Sequence, residues 1–327
     1  MKICIHSNQF DGRGTGKTPY DYGVALRDIL GHEVCYITSS RSANEGLEKI
    51  NKEFAVYQYD GYINSDPGEN IKLLIEKLVD QHKIDFVHMI KEGRNDNATP
   101  TNCKTGIHYV FKGEQPHGDV YAAVSENLAK KYKQNKFIPH IIRRMPPSKN
   151  TRALLGIPRD ALVVGRHGGR DSFDLPFVKS AIIKALDARK DIYFLFLSTN
   201  QFVIHNRVIH FDWVPSEQSV FNFIYACDIM LHARGMGETF GLSVAEFSAC
   251  NRPVMTWTGK GSPAGLYDTA HIDHLQGKAF QYDDEASLLF YLKNIKSFDL
   301  MNQHWDMFTE KFSDKNVIKQ YEKVFLK

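Results

Sequence analysis

Residues 228–256 have the sequence DIMLHARGMGETFGLSVAEFSACNRPVMT, and this stretch decides the fold. Asp228–His232 is a short apolar run, which predicts a buried strand. A glycine-rich loop follows, a helix begins at about Gly241–Leu242, and Pro253 precedes a second apolar run. The order of strand, loop, helix and strand predicts a βαβ unit of a parallel sheet.

Two glutamates flank the predicted helix start, Glu238 in the loop and Glu246 one to two turns into the helix. Loop glycines and a helix N-terminus offer backbone N–H groups and a positive dipole end to an anion. A diphosphate held there would have a carboxylate on either side to accept hydrogen bonds from sugar hydroxyls. The segment therefore indicates a nucleotide-sugar site. A plainer interpretation stays open, in which Glu238 only balances the helix dipole and Glu246 is solvated.

Strand and helix patterns alternate along the whole chain of 327 residues, a length that fits two domains. The alternation lapses at residues 143–158, a basic and proline-containing stretch that predicts a linker. We therefore predict the α/β class, with two Rossmann-like, doubly wound domains that face a cleft. The predicted domains are residues 1–148 and 149–327.

The segment resembles the nucleotide-sugar motif of retaining GT-B-fold glycosyltransferases, the sucrose-synthase/mannosyltransferase-like family of group 1 glycosyltransferases. That motif has a glutamate, then Phe-Gly-Leu after one residue, then a second glutamate with seven residues between the two, then a turn and Pro-Val. The matching residues are Glu238, Phe240, Gly241, Leu242, Glu246, Pro253 and Val254. Residues 119–129, 155–166 and about 313–327 extend the resemblance over most of the chain. In that family the last helix packs back on the N-terminal domain.

The resemblance implies a hexosyl- or pentosyltransferase that needs no metal and no cofactor. It would move a sugar from a nucleoside-diphosphate sugar to a glycan or other hydroxyl acceptor with retention of configuration. The C-terminal domain would bind the donor and the N-terminal domain the acceptor. Two alternatives remain: a nucleotide-sugar epimerase or hydrolase of the same fold, and a non-catalytic protein that binds sugar nucleotides.

Residue by residue, the resemblance places Glu246 on the donor ribose and Glu238 on the transferred sugar. The backbone of Thr239, Phe240, Gly241 and Leu242 would face sugar and phosphate. The family also has an arginine and, about five positions on, a lysine that bind the diphosphate. Arg166 fits the arginine, but Asp171 stands at the lysine position, so Arg170 in the Gly168-Gly169 loop is the alternative cation. His108 lies at the end of a predicted strand, where the family often has a histidine near the reacting carbon; a structural histidine is the other interpretation. The implied catalytic residues are Glu238, His108 and Arg170.

A second glycine-rich stretch, Gly12–Thr18, follows the first predicted strand. It fails the Walker A pattern, because Asp11 stands where the first glycine is required and Pro19 follows at once. The backbone N–H groups of Gly14 and Gly16 remain candidates for contact with the donor phosphates. A flexible turn without a ligand is the other interpretation.

The composition excludes several classes of protein. The net charge is only +3, which disfavours a nucleic-acid-binding protein. The five cysteines are far apart and form no C-x-x-C pair, and the N-terminus is too polar for a signal peptide or a membrane span. We therefore expect a soluble cytoplasmic enzyme, with oligomerisation possible in principle. Asp268, His271 and His274 lack a fourth ligand, so we interpret them as a surface turn and predict no metal site.

Overall fold

The computed structural model describes residues 1–10, 14–43, 46–63, 66–212 and 216–327, with the backbone alone described at 14 and 15. The chain divides into unit 1, residues 1–141 with 312–327, and unit 2, residues 142–311. The change between units thus comes seven residues before the predicted border at 148. The reason is local: the predicted linker packs on unit 2, where the Ser148 backbone N–H donates to Asn222 Oδ1 at 2.8 Å.

Unit 1 is built on a six-stranded parallel sheet with the strand order β3-β2-β1-β4-β5-β6. Its strands are β1 (Lys2–Ser7), β2 (Glu33–Ser39), β3 (Ala55–Tyr59), β4 (Phe86–Lys91), β5 (Lys104–Tyr109) and β6 (Val120–Ala123). Four helices connect or follow them, namely α1 (Gly14–Asp28), α2 (Leu47–Asn51), α3 (Gly68–His82) and α4 (Glu126–Lys131). Five of the strands are buried along most of their length, as expected for a parallel sheet covered on both faces, whereas the edge strand β3 is largely exposed or half-buried.

Unit 2 repeats this plan with a six-stranded parallel sheet of order β14-β12-β10-β7-β8-β9 and a separate two-stranded pair, β11 with β13. Its strands are β7 (Leu162–His167), β8 (Ile192–Leu197), β9 (Val208–Phe211), β10 (Ile229–His232), β11 (Gly237–Glu238), β12 (Val254–Trp257), β13 (Asp268–Thr269) and β14 (Phe280–Tyr282). Its helices are α5 (Thr151–Leu154), α6 (Pro176–Ala188), α7 (Glu217–Ala226), α8 (Leu242–Ala249), α9 (Ala270–Leu275), α10 (Glu285–Asn294) and α11 (Ser297–Met301). The two sheets confirm the predicted α/β class.

The last helix, α12 (Asp314–Tyr321), belongs to unit 1 and ends in a π-helical turn, Glu322–Leu326. Its apolar face is buried in that unit: the Tyr321 ring lies 5.7 Å from that of Tyr22, and the Phe325 ring lies 5.8 Å from that of Phe86. Gly106 allows this approach, because a Cβ there would lie 2.9 Å from the Phe325 ring. The C-terminal segment is therefore part of the core of unit 1.

From the sequence alone, the segment after the glycine-rich stretch predicts a helix over Tyr22–Leu30, and helix α1 differs from this prediction. The structure begins it at Gly14 and includes Pro19. A proline has no N–H to donate and therefore costs the helix one hydrogen bond. The Pro19 carbonyl accepts instead from the buried Tyr36 hydroxyl at 3.0 Å, which ties this turn to β2. Within the described ranges, no helix combines the length and the apolar character needed to cross a bilayer.

Both six-stranded sheets reverse their direction of growth once. In unit 2 the chain builds β7, β8 and β9 outward and then returns to place β10 on the other side of β7. In unit 1 the corresponding neighbours are β1 and β4. Connections leave the strands on opposite sides of such a switch point, which opens a crevice at the carboxyl ends where ligands of α/β proteins bind. The topology therefore predicts a ligand site at the carboxyl ends of β7 and β10 in unit 2 and of β1 and β4 in unit 1.

Candidate functional site

The switch point of unit 2 gathers the ends of β7 and β10. Strand β7 ends at His167 and β10 ends at His232. Each histidine lies near one of the two glutamates of the motif: His167 Nε2 is 3.1 Å from Glu246 Oε2, and His232 Nε2 is 3.4 Å from Glu238 Oε1. The two glutamates are therefore both placed where the topology predicts a ligand.

Glu246 lies on α8, a helix whose residues from Val244 to Ala249 are all buried. Only 7% of the Glu246 surface is exposed. The interpretation of Glu246 as a solvated helix residue is therefore wrong. A carboxylate is expensive to bury without polar partners. His167 Nε2 lies within ion-pair distance of Glu246 but outside hydrogen-bond geometry.

Glu238 ends the short strand β11 and is held from two sides. Arg234 Nη1 donates to Glu238 Oε2 at 2.7 Å, while His232 approaches Oε1. Burial alone would raise the pKa of Glu238, but the hydrogen bond from His232 and the positive charge of Arg234 outweigh it and lower the pKa. Glu238 is therefore an ionised, oriented carboxylate at neutral pH.

A chain of buried polar side chains continues behind Glu238. Thr256 Oγ1, on β12, lies 3.0 Å from His232 Nδ1 and 3.0 Å from His271 Nε2. With one proton on each imidazole, His232 donates to the carboxylate, Thr256 donates to His232, and His271 donates to Thr256. Burial lowers the pKa of His271 well below its usual value, so it is neutral as the chain requires.

The prediction of a surface turn at His271 and His274 is wrong, because both lie on α9 and are buried. Their burial comes from packing on the loop of the motif, where the His274 ring lies 5.3 Å from that of Phe240. Within the part of the chain that the structure describes, no three side chains of the metal-binding types are grouped as a metal site would need.

Two glycines shape the loop before α8. Gly237 has φ +66°, and a Cβ there would come within 2.1 Å of the Asp268 carbonyl oxygen, where β11 meets β13. Gly241 has φ +90° and is the N-cap of α8, so it turns the chain into the helix. Phe240 between them is buried, while Thr239 and Leu242 are partly exposed. The first N–H groups of α8 have no intrahelical acceptor and so suit an anion.

Arg166 points into the protein. It is 3% exposed, and its Nη1 and Nη2 make four hydrogen bonds of 2.5–3.2 Å to oxygens of Ser198, Thr199, Gly169 and Ser172. This corrects the prediction that Arg166 binds a ligand directly: both terminal nitrogens already bind the protein. Burial lowers the pKa of Arg166 to about 10, so the group stays charged. It holds the Gly168-Gly169 loop in place and adds a positive charge beneath it.

Replacing Arg166 with lysine is expected to lower the free energy of unfolding by about 2–3 kcal/mol. A lysine cannot form the fork of hydrogen bonds, and each buried acceptor left unpaired costs about 1–3 kcal/mol. Urea denaturation measures the change. Arg170→Lys is the matched control, because Arg170 is exposed and makes no hydrogen bond or ion pair with the described residues. Equal midpoints for the two variants would contradict the structural role of Arg166.

Comparison with known proteins identifies the architecture but not a family. No protein-family model and no curated protein sequence matches the chain. Among solved structures, HepE of Anabaena in complex with UDP has a TM-score of 0.70 at 13% identity, over 99% of both chains. A glycosyltransferase of Rickettsia africae has a TM-score of 0.69 at 14% identity, over 98% of this chain and 94% of that one. The chain has the GT-B fold.

The same comparison finds a Listeria monocytogenes protein assigned as a UDP-N-acetylglucosamine 2-epimerase. Its TM-score is 0.62 at 12% identity, over 99% of this chain and 96% of that one. At such identities the likeness shows the GT-B fold alone. What this GT-B chain does must therefore be argued from its own residues.

In unit 1 of the GT-B chain, His108 lies in the core. None of its surface is exposed, Nε2 lies 2.8 Å from the Ile138 carbonyl oxygen, and Nδ1 lies 3.4 Å from His88 Nε2. Burial lowers the pKa of His108 to about 4, so it is neutral. No substrate can reach the imidazole in this structure, which corrects the prediction of a catalytic role. The end of β5 is enclosed by α1 and the C-terminal segment, and sequence spacing did not reveal that cover.

The glycine-rich stretch of unit 1 is described only in part. Gly12 and Arg13 lie outside the described residues, while Gly14 and Gly16 belong to the first turn of α1. The two glycines therefore lie at a helix start that follows β1, next to the switch point of this sheet. Their contact with a donor stays a prediction.

Sequence reasoning missed several polar residues at the two switch points. In unit 1, Lys91 ends β4 and is buried in an ion pair with Asp96, while Asn8 Oδ1 is buried without a partner within the described residues. A lysine that closes an otherwise apolar strand was the available signal. In unit 2, Arg234 lies four residues before Glu238, a spacing that could have suggested the ion pair. The contact of His167 with Glu246 joins distant parts of the chain and left no local signal.

Proposed function

We propose that this protein transfers a sugar from a nucleoside-diphosphate sugar to a hydroxyl acceptor, with retention of the anomeric configuration. The observation that carries the proposal is the pair of glutamates at the switch point of unit 2. Glu238 is ionised and is held by Arg234 and His232. Glu246, eight positions after Glu238, is buried and lies beside His167. A surface helix with solvated carboxylates would show neither property.

Unit 2 is proposed to bind the donor. Glu246 would accept hydrogen bonds from the ribose hydroxyls, and the N-terminal turn of α8 would hold the diphosphate. Arg170, and Arg234 on its open side, are the exposed or partly exposed cations available to the phosphate oxygens. Guanidinium groups bind phosphates with two parallel hydrogen bonds, which suits this task. Arg166 would act through the loop that it orients.

The chemistry follows from where charge develops. As the bond to the sugar breaks, negative charge grows on the departing diphosphate and positive charge on the ring. Preorganised N–H groups and arginines stabilise the first. Glu238 would orient the sugar by accepting hydrogen bonds from the sugar hydroxyls. The negative charge of Glu238 would also stabilise the positive charge that develops on the sugar ring. The acceptor proton would pass to the leaving phosphate, so a separate base is not part of the proposal.

Unit 1 is proposed to hold the acceptor at its own switch point. Lys91 and Asp96 form a buried ion pair there, and Asn8 presents an unpaired carbonyl oxygen to the same end of the sheet. Buried polar atoms without a partner are uncommon in proteins. We propose that a hydroxyl of the acceptor supplies that hydrogen bond once the partly exposed side chain of Asn8 turns toward it.

Turnover assays test the reaction. The protein is incubated with UDP-, GDP-, ADP- and TDP-sugars, with and without a panel of glycan acceptors, and the products are separated and their anomeric configuration assigned. Transfer with retention in the presence of an acceptor is the expected result. Free sugar without transfer would indicate a hydrolase, and an inverted product would contradict retention.

An epimerase is the second candidate, because a Listeria monocytogenes protein assigned as an epimerase has the same fold at 12% identity, so the fold is compatible with both activities. An epimerase would share the donor site and convert the nucleotide sugar without any acceptor. The same incubation distinguishes the two, because a new nucleotide sugar formed in the absence of acceptor would support the epimerase. Neither product with any donor would favour a binding protein without catalytic activity.

Replacing Glu246 with glutamine is expected to weaken UDP binding about 10- to 100-fold, because hydrogen bonds to a charged group contribute about 1.5–3 kcal/mol. Titration calorimetry measures the affinity if UDP is the nucleotide of the accepted donor. The matched ligand is 2′,3′-dideoxy-UDP, which lacks the ribose hydroxyls and should bind wild type and variant equally. If the variant loses the same factor for both ligands, Glu246 does not bind the ribose.

A further inference from the structure

The C-terminal segment of unit 1 carries a lysine at every fourth position. Lys315 and Lys319 lie on α12, Lys323 lies in the π-helical turn, and Lys327 follows it. Residues four apart lie on one face of a helix, and all four lysines are exposed, whereas the opposite face is buried. The helix thus presents a row of positive charges about 18 Å long, from a rise of about 1.5 Å per residue.

This row borders a groove of about 680 Å³ on unit 1. Three of its lysines line the groove, and Lys104 from the start of β5 and Lys136 from the segment after α4 line it as well. The remaining lining residues are amides and apolar side chains, with no carboxylate among them. The groove is therefore a concentration of five cations.

The protein itself supplies little counter-charge. Lys327 pairs with Glu322 at 3.1 Å. The other four lysines of the groove form no ion pair with the described residues. Clustered like charges raise the local potential and attract anions. An ordinary solvated surface would instead intersperse both signs, as this chain does elsewhere with a net charge of only +3.

The groove is separate from the proposed substrate sites. Lys104 begins β5 and Val120 begins β6, whereas the Lys136 carbonyl accepts from the Ala123 N–H at the end of β6, so the groove runs along the outer side of this edge strand. The Lys91–Asp96 pair lies at the carboxyl end of β4, which runs parallel to β5. The groove thus lies along β6 at the edge of the sheet, and the Lys91–Asp96 pair lies at the end of β4, two strands further in.

We propose that this lysine groove binds a ligand, free in solution, that carries several phosphate groups. Lysine is a compact point charge that binds phosphate without imposing one geometry, and the length of the row exceeds what one phosphate can reach. The volume is within the range of small-molecule sites. A bilayer is the less suitable partner, because the apolar residues that line the groove are buried (Phe325, Val120) or partly buried (Phe137, Val324), and none projects freely to insert into lipid. The inference does not depend on the proposed transferase activity.

Titration with inorganic tripolyphosphate tests the proposal in the full chain. The variant is Lys319→Gln with Lys323→Gln, and the control is Lys77→Gln with Lys190→Gln, which removes the same charge at exposed positions elsewhere. We expect wild type and control to bind alike and the groove variant to bind at least about tenfold more weakly, the effect of losing about 1.4 kcal/mol. Any tripolyphosphate held by the donor site would be unaffected by the groove lysines.

Thermal denaturation first establishes that all three proteins are folded, which is expected because the substituted side chains are exposed. Two outcomes would overturn the proposal: no binding by wild type, or equal losses in the groove variant and the control. A second experiment, with lipid vesicles, distinguishes a free phosphate ligand from the phosphate of a lipid headgroup. Lysine-dependent binding to phosphatidylglycerol vesicles over phosphatidylcholine vesicles, without tripolyphosphate binding, would overturn it in favour of a membrane surface.

Discussion

Glutamine in place of Glu238 is expected to reduce the turnover of sugar transfer about 100- to 1000-fold, the usual loss when one preorganised electrostatic contact is removed. Glutamine keeps the length of the side chain but cannot carry the negative charge. Arg234 would keep at most a neutral amide oxygen in place of the carboxylate that it now contacts at 2.7 Å, and the developing positive charge on the sugar ring would lose an anion. The rate constant is measured at saturating donor, so that weaker binding is not counted as slower chemistry.

The control for Glu238→Gln is Asp187→Asn, which neutralises an exposed carboxylate on α6. It should turn over at the wild-type rate. A Thr256→Val variant adds a graded test, because it breaks the chain behind Glu238 without touching the carboxylate. A normal rate for Glu238→Gln, in a protein that transfers sugar, would remove Glu238 from the mechanism and leave the fold assignment intact.

Mild acid is expected to destabilise unit 1 strongly. Four of its histidines are buried and neutral, because burial lowers the pKa of each: His6 to about 3, His108 to about 4, and His88 and His140 well below the usual value. In the unfolded chain they titrate near pH 6.5. The unfolded state therefore binds more protons below that pH, so stability is complete above about 6.5 and falls as the pH is lowered toward the folded values.

Between the pKa of the unfolded chain and that of the folded protein, each buried histidine lowers the free energy of unfolding by about 1.4 kcal/mol per pH unit. Four such histidines together are expected to lower the free energy of unfolding by several kcal/mol between pH 6.5 and pH 5, a large part of the stability of many domains. Urea denaturation at several pH values, followed by far-ultraviolet circular dichroism, gives the slope of the free energy of unfolding against pH. Carboxyl groups of unfolded peptides titrate below pH 5. The slope between pH 6.5 and pH 5 therefore reports mainly the protonation of histidines.

Tryptophan fluorescence provides an internal comparison, because the sequence has tryptophan only at 213, 257 and 305, all in the range of unit 2. Far-ultraviolet circular dichroism should therefore report acid unfolding of unit 1 at a pH where the fluorescence is still native. His304→Asn, at an exposed position, should leave the slope unchanged. Equal stability at pH 7 and pH 5 would show that the buried histidines take up protons in the folded state.

The fold was predictable because its signals are local. The stretch around Glu238 contains its strand, its two turning glycines and its helix within 29 residues, so the βαβ unit could be recognised without knowing anything distant. The repeated alternation of strands and helices then gave the α/β class and two sheets. The start of α1 was missed because a helix that contains Pro19 contradicts the local preference, which contact with β2 overrides.

The environments of the site residues were not predictable, because burial depends on elements far apart in sequence. Arg166 matched a family position by spacing, yet its guanidinium is bound by oxygens of the segment after β8 and of its own loop. His108 matched a strand end, yet the last helix of the chain covers it, with Phe325 6.4 Å away between ring centres. Spacing gives the position of a residue along an element, whereas packing decides what its side chain can reach.

The measurement that tests the central claim most directly is a thermal-shift titration of the intact protein with UDP-, GDP-, ADP- and TDP-sugars, alongside the Glu246→Gln variant. At a concentration 100 times its dissociation constant, the accepted donor should stabilise the folded protein by about 2.7 kcal/mol. We expect one nucleotide class to raise the melting temperature of wild type and to have a much smaller effect on the variant. No shift with any of the four classes, or the same shift in both proteins, would contradict a nucleotide-sugar site at these two glutamates.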